Sequence, residues 1–449
     1  MARDYIEWQI HRALEHGYAS AVVWRNTDYN FREFTDLYQH DLERLRAAGI
    51  VPGSVVALTG EFSPVAISCL LALAELNCIV VPLSKYSESP LRDLMCIAEA
   101  DYQVAVSDDD DLIVTALSYG GKHPLIERLR DAGQSGLVLF SSGSTGTPKA
   151  ILHALPQLLA KFRNPRPSYR TLAFLVFDHI GGLNTVFHTL ANLGCVVIPE
   201  ERTVAGVCRA IERHKVELLP ASPSFLNLIV AAKATSDYDL SSLKLITYGS
   251  EVMPQRTLDL LNDSLPDVKL QQTYGLSEVG ILRSRSPSNR SLFVKVGGEH
   301  YDTKIVDGTL RVRSACSMLG YLNAPNPFDD DGWFDTGDAV EQVGEYYRIL
   351  GRVSDIINVG GQKVYPAQVE KVIRELPELK DVCVSGEPDL LLGQVVVARV
   401  EMSHPEPAAI VMRRIRDQCR GRLQPFMIPV RVRIQSEPSL NHRFKTRRS

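Results

Sequence analysis

Residues 137–153 read LVLFSSGSTGTPKAILH. An apolar run of strand character ends at Phe140 and opens directly into Ser141-Ser142-Gly143-Ser144-Thr145-Gly146-Thr147-Pro148-Lys149. Such a stretch can offer successive backbone N–H groups, small hydroxyls and one cation to the oxygens of a polyphosphate. The same composition also suits a flexible linker; the strand in front of it argues against a linker without excluding one. It is not the P-loop of nucleoside triphosphatases. That motif needs Gly-Lys followed by Ser or Thr, whereas Lys149 stands between Pro148 and Ala150.

Outward from this stretch the chain alternates. VVAL (55–58) predicts a strand, Pro64 to Leu76 a helix, CIVVPL (78–83) a strand, and a helical stretch near 90–100 leads to QVAVS. Downstream, TLAFLVF (171–177), CVVIP (195–199), VELLP (216–220) and KLITYG (244–249) are further short apolar runs, most of them separated by helical stretches. Nearly continuous apolar strands alternating with helices predict an α/β fold with parallel sheets covered on both faces. After about residue 351 the texture changes to IINVG, a helix around Ala367 to Glu375, QVVVARVEM, a helix around Ala408 to Arg420, and VRVRI. The expected organisation is a large N-terminal domain, residues 1–351, of parallel-rich sheets flanked by helices. A small α+β C-terminal domain, residues 352–449, follows a boundary near Gly351 to Asp355.

Bulk properties fit this division. At 449 residues the chain exceeds one compact core. Its 45% hydrophobic and 23% charged residues are those of an ordinary globular protein. A formal net charge of −4 gives no reason to expect nucleic acid as a partner, since such binding needs clustered cationic charge. The 8 cysteines form no CxxC pair and several sit in apolar runs, which predicts reduced, buried thiols. The charged N-terminus lacks the apolar segment of a signal peptide. The longest apolar stretch, Val65 to Leu83, is broken by Glu75, Asn77 and Pro82 and predicts a helix plus a strand, not a membrane span. A cytoplasmic location is expected. The acidic run Asp108 to Asp111 is expected to be a solvated loop.

The stretch at 137–153 resembles the phosphate-binding signature of the adenylate-forming superfamily, which includes acyl-CoA synthetases, adenylation domains of peptide synthetases, and firefly luciferase. Other motifs of that superfamily follow in order. QQTYGLSEVG (271–280) is similar to its YGxTE motif, GTLRVRSACSMLGYLN (308–323) to the strand and Gly-Tyr-Leu-Asn segment before its TGD motif, and GWFDTGD (332–338) to that motif. GRVSDIINVGGQKVYPAQVE (351–370) is similar to the hinge and first small-domain strand, and RFKTRR (443–448) falls where the C-terminal lysine is kept. The resemblance spans nearly the whole chain. It implies a mobile small domain and joining of a carboxylic acid to AMP with release of pyrophosphate.

The resemblance also implies roles. Ser141, Ser142, Gly143, Ser144, Thr145, Gly146 and Lys149 would bind the phosphates of ATP, and Gly249, Ser250, Glu251 and Gly275 would line the nucleotide site. Tyr274 would give adenine an aromatic face. Ser277, in place of the usual Thr, keeps a hydroxyl for the α-phosphate, and Glu278 would hold Mg²⁺, which prefers carboxylate and phosphate oxygens. Asp338 and Arg352 would meet the ribose hydroxyls. Lys445 would stabilise the charge that builds as a carboxylate attacks the α-phosphate; Phe444 stands before it where the superfamily usually has Gly. The hinge position is Ser354.

FDHIGGLNTV (177–186) is similar to the segment beside the acyl carboxylate, which puts His179 there. Relatives that activate amino acids keep an aspartate where this chain has Gly181. A glycine gives space and no counter-charge, which predicts an aryl or medium-length apolar acid over an α-amino acid. VGGQKVYPAQVE looks like acyl- and aryl-CoA ligases, with Gly361 lining the pantetheine tunnel. Coenzyme A is the expected acceptor; the alternatives are the phosphopantetheine of an acyl carrier protein, or an amine. The partners are thus a small carboxylic acid and possible carrier protein, no nucleic acid and no membrane, with the chain a monomer or homodimer.

Overall fold

Gly136–Ser141, the strand that leads into the serine- and glycine-rich stretch, lies inside the first of two seven-stranded sheets. The computed structural model describes residues 2–85, 87, 89–120, 122–141, 147–298 and 301–435. In it Gly136–Ser141 runs parallel to Ile79–Leu83, then Val55–Thr59, then Tyr102–Val106. On its other side the chain returns antiparallel as Lys149–Ala154, with Ser141 opposite Lys149. Gly320–Tyr321 and Leu112–Ala116 close the two edges. Val55–Thr59 and Ile79–Leu83 are buried throughout, as parallel strands covered on both faces must be.

The second sheet sets Lys269–Gln272, Leu245–Tyr248, Leu218–Ala221, Arg170–Leu172, Cys195–Val197 and Ser20–Trp24 in parallel order, with Thr27–Asn30 as an antiparallel edge. A six-stranded antiparallel sheet follows, from Ser284–Arg285 to Tyr346–Arg352. Beyond the 3₁₀ turn Val353–Asp355, a separate sheet of five strands carries helices Pro366–Ile373 and Ala408–Cys419 on a core of its own. The chain is therefore a mixed α/β fold with a large N-terminal and a small C-terminal domain.

Local chemistry sets the helix starts. Pro64–Glu75 opens with Pro64 in its first turn and with Ser63 accepting from the Ala66 N–H. Asp110 accepts from the Ser63 hydroxyl and, at 3.2 Å, from the Val65 N–H. This corrects the reading of 108–111 as wholly solvated: Asp110 caps a helix, and burial pushes its carboxyl up. A second correction concerns 171–177. Only Arg170–Leu172 is strand; from Ala173 the apolar run leaves the sheet and crosses toward the helix Ile180–Ala191. Seven cysteines are buried, as expected, but Cys96 is exposed. No helix among the described residues is long and apolar enough to cross a membrane.

Candidate active site

A cleft of about 1270 Å³ opens where the carboxyl ends of parallel strands from both seven-stranded sheets converge. Phe140 and Ser141 end one such strand, and Ala221, Gly249 and Thr273 follow or end three others. Ligand sites of open α/β sheets form at this place because the strand ends leave outward-facing backbone groups between diverging loops. The antiparallel sheet supplies Phe334 to Gly337, and the segment between the domains supplies Arg352 to Asp355.

One wall gathers the motif residues expected at the phosphates. Lys149 lines the cleft beside Ser141, and its ammonium lies 5.2 Å from the ring centre of Tyr321. The Tyr321 hydroxyl donates to Glu278 Oε1 at 3.0 Å. Burial and the adjacent Glu278 push this phenol up, so it stays a donor at neutral pH. Ser277 and Glu278 both line the cleft. Their loop is anchored from behind: the buried His153 donates from Nε2 to the Ser277 carbonyl at 2.6 Å. Burial holds that imidazole down at about 4, so it is neutral at pH 7. Sequence reasoning missed Tyr321 and His153, although GYLN and KAILH had been singled out. Their partners lie 43 and 124 positions away, beyond any local spacing signal.

Among the described residues no three His, Cys, Asp or Glu side chains form a metal cluster. Glu278 alone on this wall still suits Mg²⁺, which keeps several waters and takes phosphate oxygens with one or two carboxylates. Gly249, Ser250 and Gly275 line the cleft, whereas Glu251 does not. Glu251 accepts instead from the Ser224 hydroxyl at 2.7 Å. Ser142, Gly143, Ser144, Thr145, Gly146 and Lys445 lie outside the described residues.

A second cluster joins the two domains' ends. Asp338 is buried, accepting from the Tyr274 hydroxyl at 2.7 Å and pairing with Arg352 Nε at 2.8 Å. Arg352 also donates to the Thr336 carbonyl at 2.7 Å and lines the cleft. Burial pushes the Asp338 carboxyl up, while Arg352 and Tyr274 draw it back. Tyr274 differs from expectation. Its ring is 7% exposed, packs in the main core and does not line the cleft. Its hydroxyl is engaged by Asp338, and the strand alternation of Tyr274–Leu276 turns the ring inward.

The third wall is the N-terminus of Ile180–Ala191. His179 caps it, Nδ1 accepting from the Gly181 N–H at 3.0 Å, which leaves the proton of the neutral ring on Nε2. Both residues line the cleft. The sequence predicts space at Gly181, and the structure shows a tight fit there. A Cβ there would lie 3.0 Å from His179 Nδ1 and 3.0 Å from Leu175 Cδ1. The glycine lets the cap close. Gly361 is exposed, sits at φ +86° in the turn between Ile357–Val359 and Gln362–Val364, and does not line the cleft in this arrangement of the domains. A two-residue hairpin loop with positive φ demands glycine by itself.

Comparison with known proteins places this architecture. The profile of the AMP-binding enzymes matches residues 10–322, and that of the AMP-binding enzyme C-terminal domain matches residues 368–445. The chain belongs to the AMP-binding enzyme family. An indoleacetate–CoA ligase of Aromatoleum aromaticum is 29% identical, over 88% of this chain and 87% of its own. The fold is shared with the anthranilate CoA ligase AuaEII solved with anthranoyl-AMP, at TM-score 0.81 and 21% identity over 97% of this chain and 93% of that one. It is shared also with the amide bond synthetase McbA from Marinactinospora thermotolerans, at TM-score 0.78 and 23% identity over 99% and 98%.

Proposed function

We propose that this enzyme uses ATP to convert an aryl or medium apolar carboxylic acid to its acyl-AMP, releases pyrophosphate, and passes the acyl group to the thiol of coenzyme A. The observation that carries the reading is the convergence in one cleft of Lys149, the Ser277–Glu278 loop, Arg352 and His179. A carboxylate oxygen bonds to the α-phosphorus as the bond to the pyrophosphate oxygen breaks. The acyl carbon is then attacked by the thiolate, and AMP leaves.

Charge is what this chain's residues manage. Lys149, held over the Tyr321 ring, lies where it can meet phosphate oxygens, and the superfamily motifs matched by Lys445 and residues 142–146 serve the same purpose. Ser277 offers a hydroxyl to the α-phosphate. Asp338 and Arg352 hold the ribose, with Tyr274 fixing the carboxylate they share. His179, which lines the cleft, stands beside the acid's carboxylate. Bound Mg²⁺ would neutralise phosphate charge, and Glu278 is the residue that would hold it. The domain division lies at residues 351/352, and rotation there would bring the small domain's Gly361 turn to the cleft for transfer. The protein is proposed to work in the cytoplasm.

A carrier-protein thiol or an amine is the second reading of the acceptor. The likeness to a protein described as an amide bond synthetase favours the amine. The test is to supply ATP, Mg²⁺ and an aryl acid with coenzyme A, with a phosphopantetheinylated carrier, or with an amine. Acyl-CoA as the fast product supports the first reading; rapid amide formation with no thioester would overturn it.

A further inference from the structure

Four residues of the helix Ile180–Ala191 line the cleft: Ile180, Gly181, Asn184 and Thr185. Their spacing is one helical face. Thr185 spends its hydroxyl on the Gly181 carbonyl at 2.8 Å, inside the helix. One turn on, His188 is engaged elsewhere, its ring 6.3 Å from that of Phe162 and its Nδ1 3.3 Å from the Asn192 amide nitrogen. Asn184 differs from both. Among the described residues its carboxamide has no hydrogen-bond partner, and it lines a cleft to which Leu175, Ile180, Ala221 and Ile281 contribute apolar side chains. Seated five residues beyond His179, it lies about 7.5 Å further along the helix axis at 1.5 Å per residue.

We infer that Asn184 reads a hydrogen-bonding group at the far end of the acid, and that the substrate is an aryl acid bearing a ring N–H or O–H. This rests on the proposed acid-adenylating reading of the cleft. An acid that fills the cleft strips water from Asn184. A purely hydrocarbon acid then leaves both its amide oxygen and its NH₂ unpaired, whereas a ring donor at the acid's far end satisfies the oxygen. Discrimination by a buried polar group of this kind rejects the analogue that lacks the partner.

The experiment compares indole-3-acetate with naphthalene-1-acetate, and 4-hydroxyphenylacetate with 4-methylphenylacetate, by pyrophosphate release with ATP and Mg²⁺. Each pair matches shape and differs in the donor. The wild-type enzyme is expected to prefer the donor-bearing acid of at least one pair by roughly 10- to 100-fold in kcat/KM. Asn184→Leu, of similar shape but apolar, is expected to reverse that preference. Its kcat/KM falls for the donor-bearing acid and rises for the hydrocarbon acid, a gain that a misfolded variant cannot show. Asn184→Asp, which keeps the acceptor oxygen, is expected to retain the donor preference. Pyrophosphate release without donor preference in the wild type, or a preference that Asn184→Leu leaves intact, overturns the inference while leaving adenylation standing. No pyrophosphate with any acid overturns both.

Discussion

Replacing Tyr321 with Phe removes one hydroxyl and nothing else, and the structure says what that hydroxyl does. It donates to Glu278 Oε1 at 3.0 Å, while the ring below it carries the Lys149 ammonium at 5.2 Å. A hydrogen bond to a charged group contributes about 1.5–3 kcal/mol. Tyr321 is buried but Glu278 is only partly so, which favours the lower half of that range. About 1.5–2 kcal/mol is a roughly 10- to 30-fold fall in kcat/KM for adenylation. Because the loosened group is the carboxylate proposed to hold Mg²⁺, the half-saturating Mg²⁺ concentration should rise in parallel. Tyr321→Leu loses the ring as well, and with it a cation–π contact worth about 0.5–1 kcal/mol, so it should fall a further few-fold. Pyrophosphate release over a Mg²⁺ titration reads both effects. A Tyr321→Phe enzyme with unchanged kcat/KM and unchanged Mg²⁺ dependence would refute the reasoning.

Other expectations follow from the same geometry. Burial holds the His153 and His188 imidazoles down at about 4, against about 6.5 in an unfolded chain. The unfolded state therefore takes up protons first, so stability falls as pH drops from about 6.5 toward 4, by up to ~1.4 kcal/mol per unit for each ring. Urea midpoints at pH 7, 6 and 5 should show the decline, and His153→Phe should flatten it; equal midpoints would contradict the burial. Gly181→Leu should push the side chain into His179 and Leu175 and lower kcat/KM for large and small acids alike, whereas a loss confined to bulky acids would restore the vacancy reading. Lys445→Ala should slow acyl-AMP formation by ~100-fold or more yet spare transfer from supplied acyl-AMP, and equal loss of both half-reactions would count against a role confined to adenylation.

What was legible in the sequence was mainly what is local. The parallel strands announced themselves as short apolar runs, and Gly136–Ser141 ending in the phosphate stretch lies where 137–153 predicted. The illegible parts depend on distant neighbours. TLAFLVF has strand composition throughout, but only Arg170–Leu172 forms strand; Ala173 makes one last backbone bond, to the Val197 carbonyl at 2.8 Å, and Leu175 and Val176 line the cleft. Gly181 reads as space until the ring of its own cap is seen to occupy it. The bond from the Tyr274 hydroxyl to Asp338 spans 64 positions and has no local signal either. Asp110 reads as a solvated charge until the helix start it serves, 47 positions earlier at Ser63, is in view.

Exchange of labelled pyrophosphate into ATP tests the central claim most directly, because it reports reversible adenylate formation and needs no acceptor. With Mg²⁺ and an aryl acid bearing a ring donor, but without coenzyme A, the exchange should be rapid, should vanish when the acid is omitted, and should leave AMP as the nucleotide product once an acceptor is added. Exchange that is absent with every acid tried, or nucleotide recovered as ADP with inorganic phosphate, would contradict it.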